Sequence, residues 1–204
     1  MTNKQQLLGC LNNNLQKAVN QWKENEDNIK TKITWIDNFL PDDYANKLYK
    51  HFPNNLNIWH QQSSLRERKK DFNKIDEINK IFNEYFSSIQ SNDAIKIIEK
   101  ITDIPNLKAD NSLYAGGMSK MDLGDFLNPH IDNSHNAERK KYRRLNLLYY
   151  ITPNWQKEYG GNFEIWDQKV KIRKEIVSNF NRLVIMETNN QSWHSVNKVT
   201  VNTS

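Results

Sequence analysis

His130, Asp132 and His135 fall within six positions of the stretch FLNPHIDNSHN, in a chain that has only five histidines. Imidazole nitrogen and carboxylate oxygen both bind divalent transition metals, so the first question is which of the three can share an ion. Residues two apart on an extended strand point to the same side, about 7 Å from each other. A local bend then lets His130 and Asp132 converge. His135 has the opposite parity and sits in Asn133-Ser134-His135-Asn136, a run of turn composition. The pair reads as His130 and Asp132, without His135. A bare His-x-Asp also arises by chance in a chain of this make-up, so a third ligand has to come from elsewhere.

Three histidines remain as candidates. His51 lies in the helix candidate YANKLYKHF and His60 follows an Asn/Trp loop, and both read as structural or solvent-exposed. His194 lies in SWHSVNKVTV, a strand candidate 62 residues beyond Asp132. A fold that closes on itself can bring late strands beside early ones. Two His and one carboxylate on one face of an octahedron, with the other positions open, are the ligand set of non-haem Fe(II) oxygenases.

The elements that must position these residues change character along the chain. In the first half the apolar period is helical: Ile75, Ile78, Phe82, Tyr85 and Ile89 step by three and four. NDAIKIIEKI continues with Ile95, Ile98 and Ile101, with Asn92 or Asp93 as the expected N-cap. LPDDYANKLYKHF has Pro and Asp at a helix start, and residues 1 to about 30 read as polar, weakly amphipathic helix. From about residue 112 the period becomes two. RLNLLYYIT sets Leu145, Leu147, Tyr149 and Ile151 against Asn146, Leu148, Tyr150 and Thr152, and NFEIWD, QKVKIRKEIV and NRLVIMET follow as short strands. Helices first and turn-separated strands afterwards predict an α+β arrangement of one domain over 1–204. Residues 1–111 form its mainly helical support and 112–204 its sheet core.

Composition narrows the setting. Twenty-two Phe, Tyr and Trp residues supply a core, which excludes a disordered chain. Cys10 is the only cysteine, so no internal disulfide forms and a reducing, cytoplasmic compartment is expected. No stretch has signal-peptide or membrane-span character, so no membrane partner is expected. The net charge of +5 is concentrated in RERKK at 66–70, read as a solvated basic face, and RKKYRR at 139–144. The second lies near the His-x-Asp pair, where an anionic ligand would profit from it.

Residues 113–204 resemble the prolyl-4-hydroxylase-like branch of the Fe(II)/2-oxoglutarate-dependent dioxygenases. MDLGDFLNPHID, RLNLLYYIT, EYGGNFEIWD and SWHSV carry the resemblance, in the family's order and at compatible spacing. ITWIDNFLPDDYANKLYKHF resembles that branch's usual opening segment, and Gly124 and Pro129 fit its pattern. The resemblance implies a double-stranded β-helix, or jelly roll, buttressed by the N-terminal helices. It implies Fe(II) on His130, Asp132 and His194, with 2-oxoglutarate and O2 as co-substrates. It further implies decarboxylation to succinate and CO2, coupled to hydroxylation of a peptidyl proline, an amino acid or a small metabolite.

The same resemblance points to residues for the co-substrate. The branch has a cation about ten residues beyond the second His to hold the distal carboxylate, where this chain has Ser204. Arg144, at the head of RLNLLYYIT, is the reserve candidate, and Lys198 lies too close to His194 along the strand. Met121 stands where the branch has a Tyr, and its thioether cannot donate that hydrogen bond. Asn146 stands where a Thr often lines the co-substrate pocket. Trp193 reads as shielding beside His194, Trp155 and Trp166 as entrance or core, and Gly160-Gly161 as a turn. Two rivals remain: a nucleic-acid dealkylase of the same superfamily using RKKYRR, and a non-catalytic metal-binding jelly-roll module.

Overall fold

The structure is a computed structural model that describes residues 1–24, 28–54, 57–114, 116–136 and 138–202. The polar opening forms two helices, α1 (Asn3–Asn13) and α2 (Leu15–Lys23), broken at Asn14. Thr2 starts α1 with a capping box: its hydroxyl accepts the Gln5 N–H, and the Gln5 side chain accepts the Thr2 N–H. Strand β1 (Ile33–Ile36) and helix α3 (Asp42–Lys50) follow, then the hairpin of β2 (His60–Ser63) and β3 (Glu67–Phe72).

The stripe from Ile75 to Ile89 is not one helix. Ile75–Glu77 makes a single 3₁₀ turn, and α4 (Lys80–Ile89) restarts behind Asn79, whose side chain accepts the Ile81 N–H. Asn at position 79 competes for its own backbone and caps better than it continues a helix. The cap of helix α5 (Asn92–Thr102) lies one residue before the earlier of the two expected positions: it is Ser91, whose hydroxyl accepts the Ala94 N–H at 3.3 Å.

The remaining strands are β4 (Met118–Lys120), β5 (Phe126–His130), β6 (Leu145–Tyr150), β7 (Phe163–Trp166), β8 (Arg173–Ile176), β9 (Arg182–Glu187) and β10 (His194–Val196). They build two antiparallel sheets, one in the order β1-β9-β6. The other runs β2-β3-β5-β10-β7-β8, with β4 paired to β3. Val184 and Met186 of the smaller sheet pack with Phe163, Ile165 and Ile176 of the larger, closing a jelly roll. On the other face of the smaller sheet, Leu183 and Ile185 join Leu7, Leu11, Trp22, Leu48, Phe82 and Ile98 of the helices. This explains the unbroken apolar run of β9: both of its faces are covered.

Three strands come from the first 111 residues, where the period is mainly helical. β3 escapes a periodicity reading because its sequence, ERKKDF, is charged rather than alternating. It is held by pairs: Arg68 to Asp125 at 2.6 Å, Lys70 to Asp122 at 2.5 Å and Lys69 to Glu67 at 3.1 Å. Arg68, Lys69 and Lys70 of the RERKK run are thus paired on an ordered strand, while Arg66 stands exposed in the turn before it. The Gly160-Gly161 turn fits tightly, since a Cβ on Gly160 would fall 1.9 Å from the Lys198 carbonyl oxygen. Among the described residues, no helix is long and apolar enough to cross a membrane.

Candidate metal centre

Strands β5 and β10 are neighbours in the larger sheet, and their register sets His130 directly across from His194. An irregularity separates this pair from the next one, Leu127 and Val196. The two rings lie with centroids 4.2 Å apart. Strand β5 ends at His130, so Asp132 stands just beyond it, where the chain has left the sheet. That departure supplies the bend two same-side residues need to meet. The Nε2 atoms of His130 and His194 are each 3.5 Å from a different oxygen of Asp132. One donor atom from each of the three lies within 4.8 Å of the others.

The donors are aimed as well as gathered. His130 Nδ1 is 2.9 Å from the Asn128 carbonyl, and His194 Nδ1 is 2.9 Å from the Ser192 carbonyl. A carbonyl only accepts, so each Nδ1 carries the proton and each Nε2 keeps its lone pair for the centre. Burial to 7% and 4% exposure keeps both imidazoles out of bulk water. Burial alone would raise the Asp132 pKa. The facing His130 and His194 imidazoles, which take up protons before the carboxylate does as the pH falls, and the Asn146 amide outweigh it, so the carboxyl stays ionised far below its usual range. Burial pushes His194 down to about 4, against the opposing pull of Asp132, which leaves it neutral at physiological pH.

The arrangement suits a divalent ion. For metal–ligand bonds of about 2.1 Å, adjacent corners of an octahedron lie about 3 Å apart. The 3.5 Å spacings of Asp132 from the two imidazoles are near that edge. Two neutral imidazoles and one carboxylate would leave a divalent ion with a net charge of about +1.

The other sequence candidates separate cleanly. Asn146 is at the site, but its amide donates to Asp132 Oδ2. Arg144 is exposed, and the arginine that reaches the site is its neighbour Arg143, with Nη1 3.6 Å from Asp132 Oδ2 and a side chain only 14% exposed. Strand β6 starts at Leu145, so both arginines lie in the loop that leads into it. Met121 is half-buried just after β4, and Lys198 is exposed. Ser204 lies outside the described residues. His135 turns away from the centre, with Nδ1 2.7 Å from Ser134 Oγ and its ring against Tyr142. His51, the C-cap of α3, and His60, on β2, are exposed and lie outside the cluster formed by His130, Asp132 and His194.

Sequence reasoning passed over the residues behind the ligands. The Trp166 backbone N–H donates to the Trp193 carbonyl at 2.9 Å, and its indole N–H donates to Ser195 Oγ at 2.7 Å. Trp166 therefore holds the chain on both sides of His194. Ser195 in turn donates to the buried Glu164 at 2.5 Å. Trp155 supports the glycine turn instead, donating to the Gly160 carbonyl at 2.8 Å. Only the period-two placement of Trp166 across from β10 could have signalled its role, and that requires the strand order.

Residues 116–204 match the family model of the 2OG-Fe(II) oxygenase superfamily. The fold matches a Pseudomonas putida prolyl-4-hydroxylase with a TM-score of 0.61 at 13% identity, covering 91% of this chain and 92% of that one. It matches a Trichoplax adhaerens prolyl hydroxylase, solved with a hypoxia inducible factor oxygen degradation domain peptide fragment, with a TM-score of 0.62 at 19% identity. That match covers 94% of this chain and 87% of the other. Mouse prolyl 3-hydroxylase OGFOD1 is 31% identical over 62 residues, which make up 28% of this chain and 11% of the mouse protein. The cofactor and co-substrates of the superfamily are Fe(II), 2-oxoglutarate and O2.

Proposed function

We propose that the chain is an oxygenase that hydroxylates a peptidyl side chain, with proline the leading candidate, because residues 116–204 match the 2OG-Fe(II) oxygenase family model and the fold matches that of prolyl hydroxylases. One observation carries the reading: three donor atoms gathered within 4.8 Å, with both imidazoles turned inward by backbone carbonyls. A peptidyl substrate is supported by the peptide bound to the Trichoplax relative. The single cysteine supports an intracellular, cytoplasmic setting.

Each residue has a share in the work. His130 and His194 offer Nε2, and Asp132 offers a carboxylate oxygen, all from one side of the ion. Asn146 steadies Asp132, so the ligand needs no reorganisation when the ion arrives. Phe163, its ring 5.6 Å from that of His194, keeps the inner side of the site apolar. Fe(II) bound there with 2-oxoglutarate and O2 would supply oxidative decarboxylation to succinate and CO2, coupled to hydroxylation of the substrate. Three donors on one face of an octahedral ion would leave its remaining positions for those partners. Met121, Asn146 and Arg143 are the side chains from which a co-substrate contact would be drawn, with Arg143 replacing Arg144 on geometry.

Succinate formation is the test. The protein, loaded anaerobically with Fe(II), is given 2-oxoglutarate, O2 and proline-containing peptides. Succinate is expected from the wild type and not from His130→Ala. Equal succinate from both proteins would end the proposal. Binding of 2-oxoglutarate without any succinate would instead favour a non-catalytic metal module.

A further inference from the structure

Two projections border the three ligands, and each pairs an exposed apolar residue with an arginine. The first is the turn between β2 and β3, where Leu65 is 96% exposed and Arg66 stands exposed beside it. Its backbone is fixed to β5 two residues before His130. The Arg66 carbonyl accepts the Asn128 N–H, and the Leu65 carbonyl accepts the Asn128 side-chain amide, both at 2.8 Å.

The second projection is the chain after Asp132. It folds back on itself, with the Arg143 N–H donating to the Ser134 carbonyl at 2.9 Å and a bridge between His135 and Tyr142. Tyr142 is 72% exposed, its ring 4.3 Å from that of His135. Arg143 points down to Asp132, while Arg139, Lys140, Lys141 and Arg144 are exposed around it. Within this loop Glu138 pairs with Lys140 at 3.0 Å. The RKKYRR cluster thus stands at the mouth of the metal centre, and none of the proposed chemistry uses its outward charges.

We propose that these two projections form a docking surface for an acidic stretch of polypeptide that flanks the residue presented to the metal. Leu65 and Tyr142 take its apolar side chains, and Arg66, Lys141 and Arg144 meet its carboxylates. The proposal rests on the reading of the chain as a peptidyl hydroxylase and adds the charge of the segment it selects. A nucleic-acid strand fits less well. Such ligands need cations tracking a backbone, with aromatic platforms at successive bases. Here Glu138 pairs with Lys140 and shortens the run of free cations, and Tyr142 is a single exposed aromatic tilted against His135.

The test uses the full chain with Mn(II) and three labelled peptides of equal length, each with one proline and one leucine. They differ only in carrying Glu, Gln or Lys at the other positions, and a single-stranded oligonucleotide serves as a fourth probe. Fluorescence anisotropy is expected to show the Glu peptide binding about tenfold tighter than the Gln peptide at low salt, a preference that fades as salt rises. The triple variant Arg66→Glu/Lys141→Glu/Arg144→Glu should lose that preference. Lys50→Glu, an exposed charge reversal on α3, should keep it. Equal binding of the Glu and Gln peptides overturns the proposal, as does equal loss in Lys50→Glu or tighter binding of the oligonucleotide. A parallel Mn(II) titration keeps the two readings apart. Failure of the metal to bind removes the hydroxylase, whereas normal metal binding and succinate formation without charge preference removes only the docking surface.

Discussion

Strand β6 belongs to two regions of this molecule at once. Leu145, Leu147 and Tyr149 face the helices and pack against the large core there, while Leu148 and Tyr150 face the opposite sheet. Asn146, on that second face, reaches Asp132. The helix-backed face is held by apolar volume, to which many residues contribute and in which a similar side chain can substitute for another. The metal corner is held by single polar partners: one carbonyl for each imidazole and one amide on the carboxylate. Damage to the first region should therefore appear as lost stability, and damage to the second as lost metal binding by a folded protein.

The largest effect on stability should come from the helix-backed face. Ile185 is fully buried in the middle strand of the smaller sheet, against the helices. Ile185→Ala should cost about 2–5 kcal/mol in urea unfolding. Metal affinity, measured on the fraction that remains folded, should stay within about twofold. A large loss of affinity in folded Ile185→Ala would show that the two regions are coupled, against this account.

Protonation comes next, and it acts on the metal corner. His194 has an ordinary value of 6.5 and is pushed down to about 4 in the fold, mainly by burial. Between these values the unfolded chain binds the proton and the folded one does not, so stability rises with pH across the window. Metal-free protein should be at full stability from this group above pH 6.5. It should lose on the order of 3 kcal/mol as the pH falls toward 4. His194→Gln should flatten that slope in urea titrations, and an unchanged slope would assign it to other groups.

The smallest effect sharpens the contrast most. Asn146→Ala removes an amide from Asp132 without opening a large apolar void. It should weaken metal binding by about 10–100-fold while leaving the melting temperature of the metal-free protein nearly unchanged. An equal fall in both would place Asn146 with the packing residues instead.

The two regions also differ in how far they can be read from sequence. The helix-backed face announces itself through periodicity: the alternation in RLNLLYYIT and the three–four spacing of Phe82, Tyr85 and Ile89 require only neighbours along the chain. The stripe expected on α5 is half right, since Ile98 and Ile101 are buried with Ala94 and Ile97 while Ile95 is only half-buried. His130 and Asp132 are legible for the same reason, being two residues apart. His194 was reached through its place in a late strand and through the family resemblance. What put it directly across from His130 is a strand order that no local pattern contains. Arg143 was missed because its identity as the inward arginine depends on where β6 starts and on how the loop after Asp132 folds back. β3 escapes the reading because its sequence is charged rather than alternating, and its partners are distant in sequence: the ladders to β4 and β5, and Asp122 and Asp125 in the loop between those two strands.

Titration of the folded chain with Fe(II) under anaerobic conditions, beside His194→Ala, tests the central claim most directly. The wild type should bind one equivalent, and the variant should bind more than about 100-fold more weakly while remaining folded by circular dichroism. One equivalent bound to His194→Ala with unchanged affinity would contradict the account, because the ion would then be held without the ligand that strand β10 brings to the site.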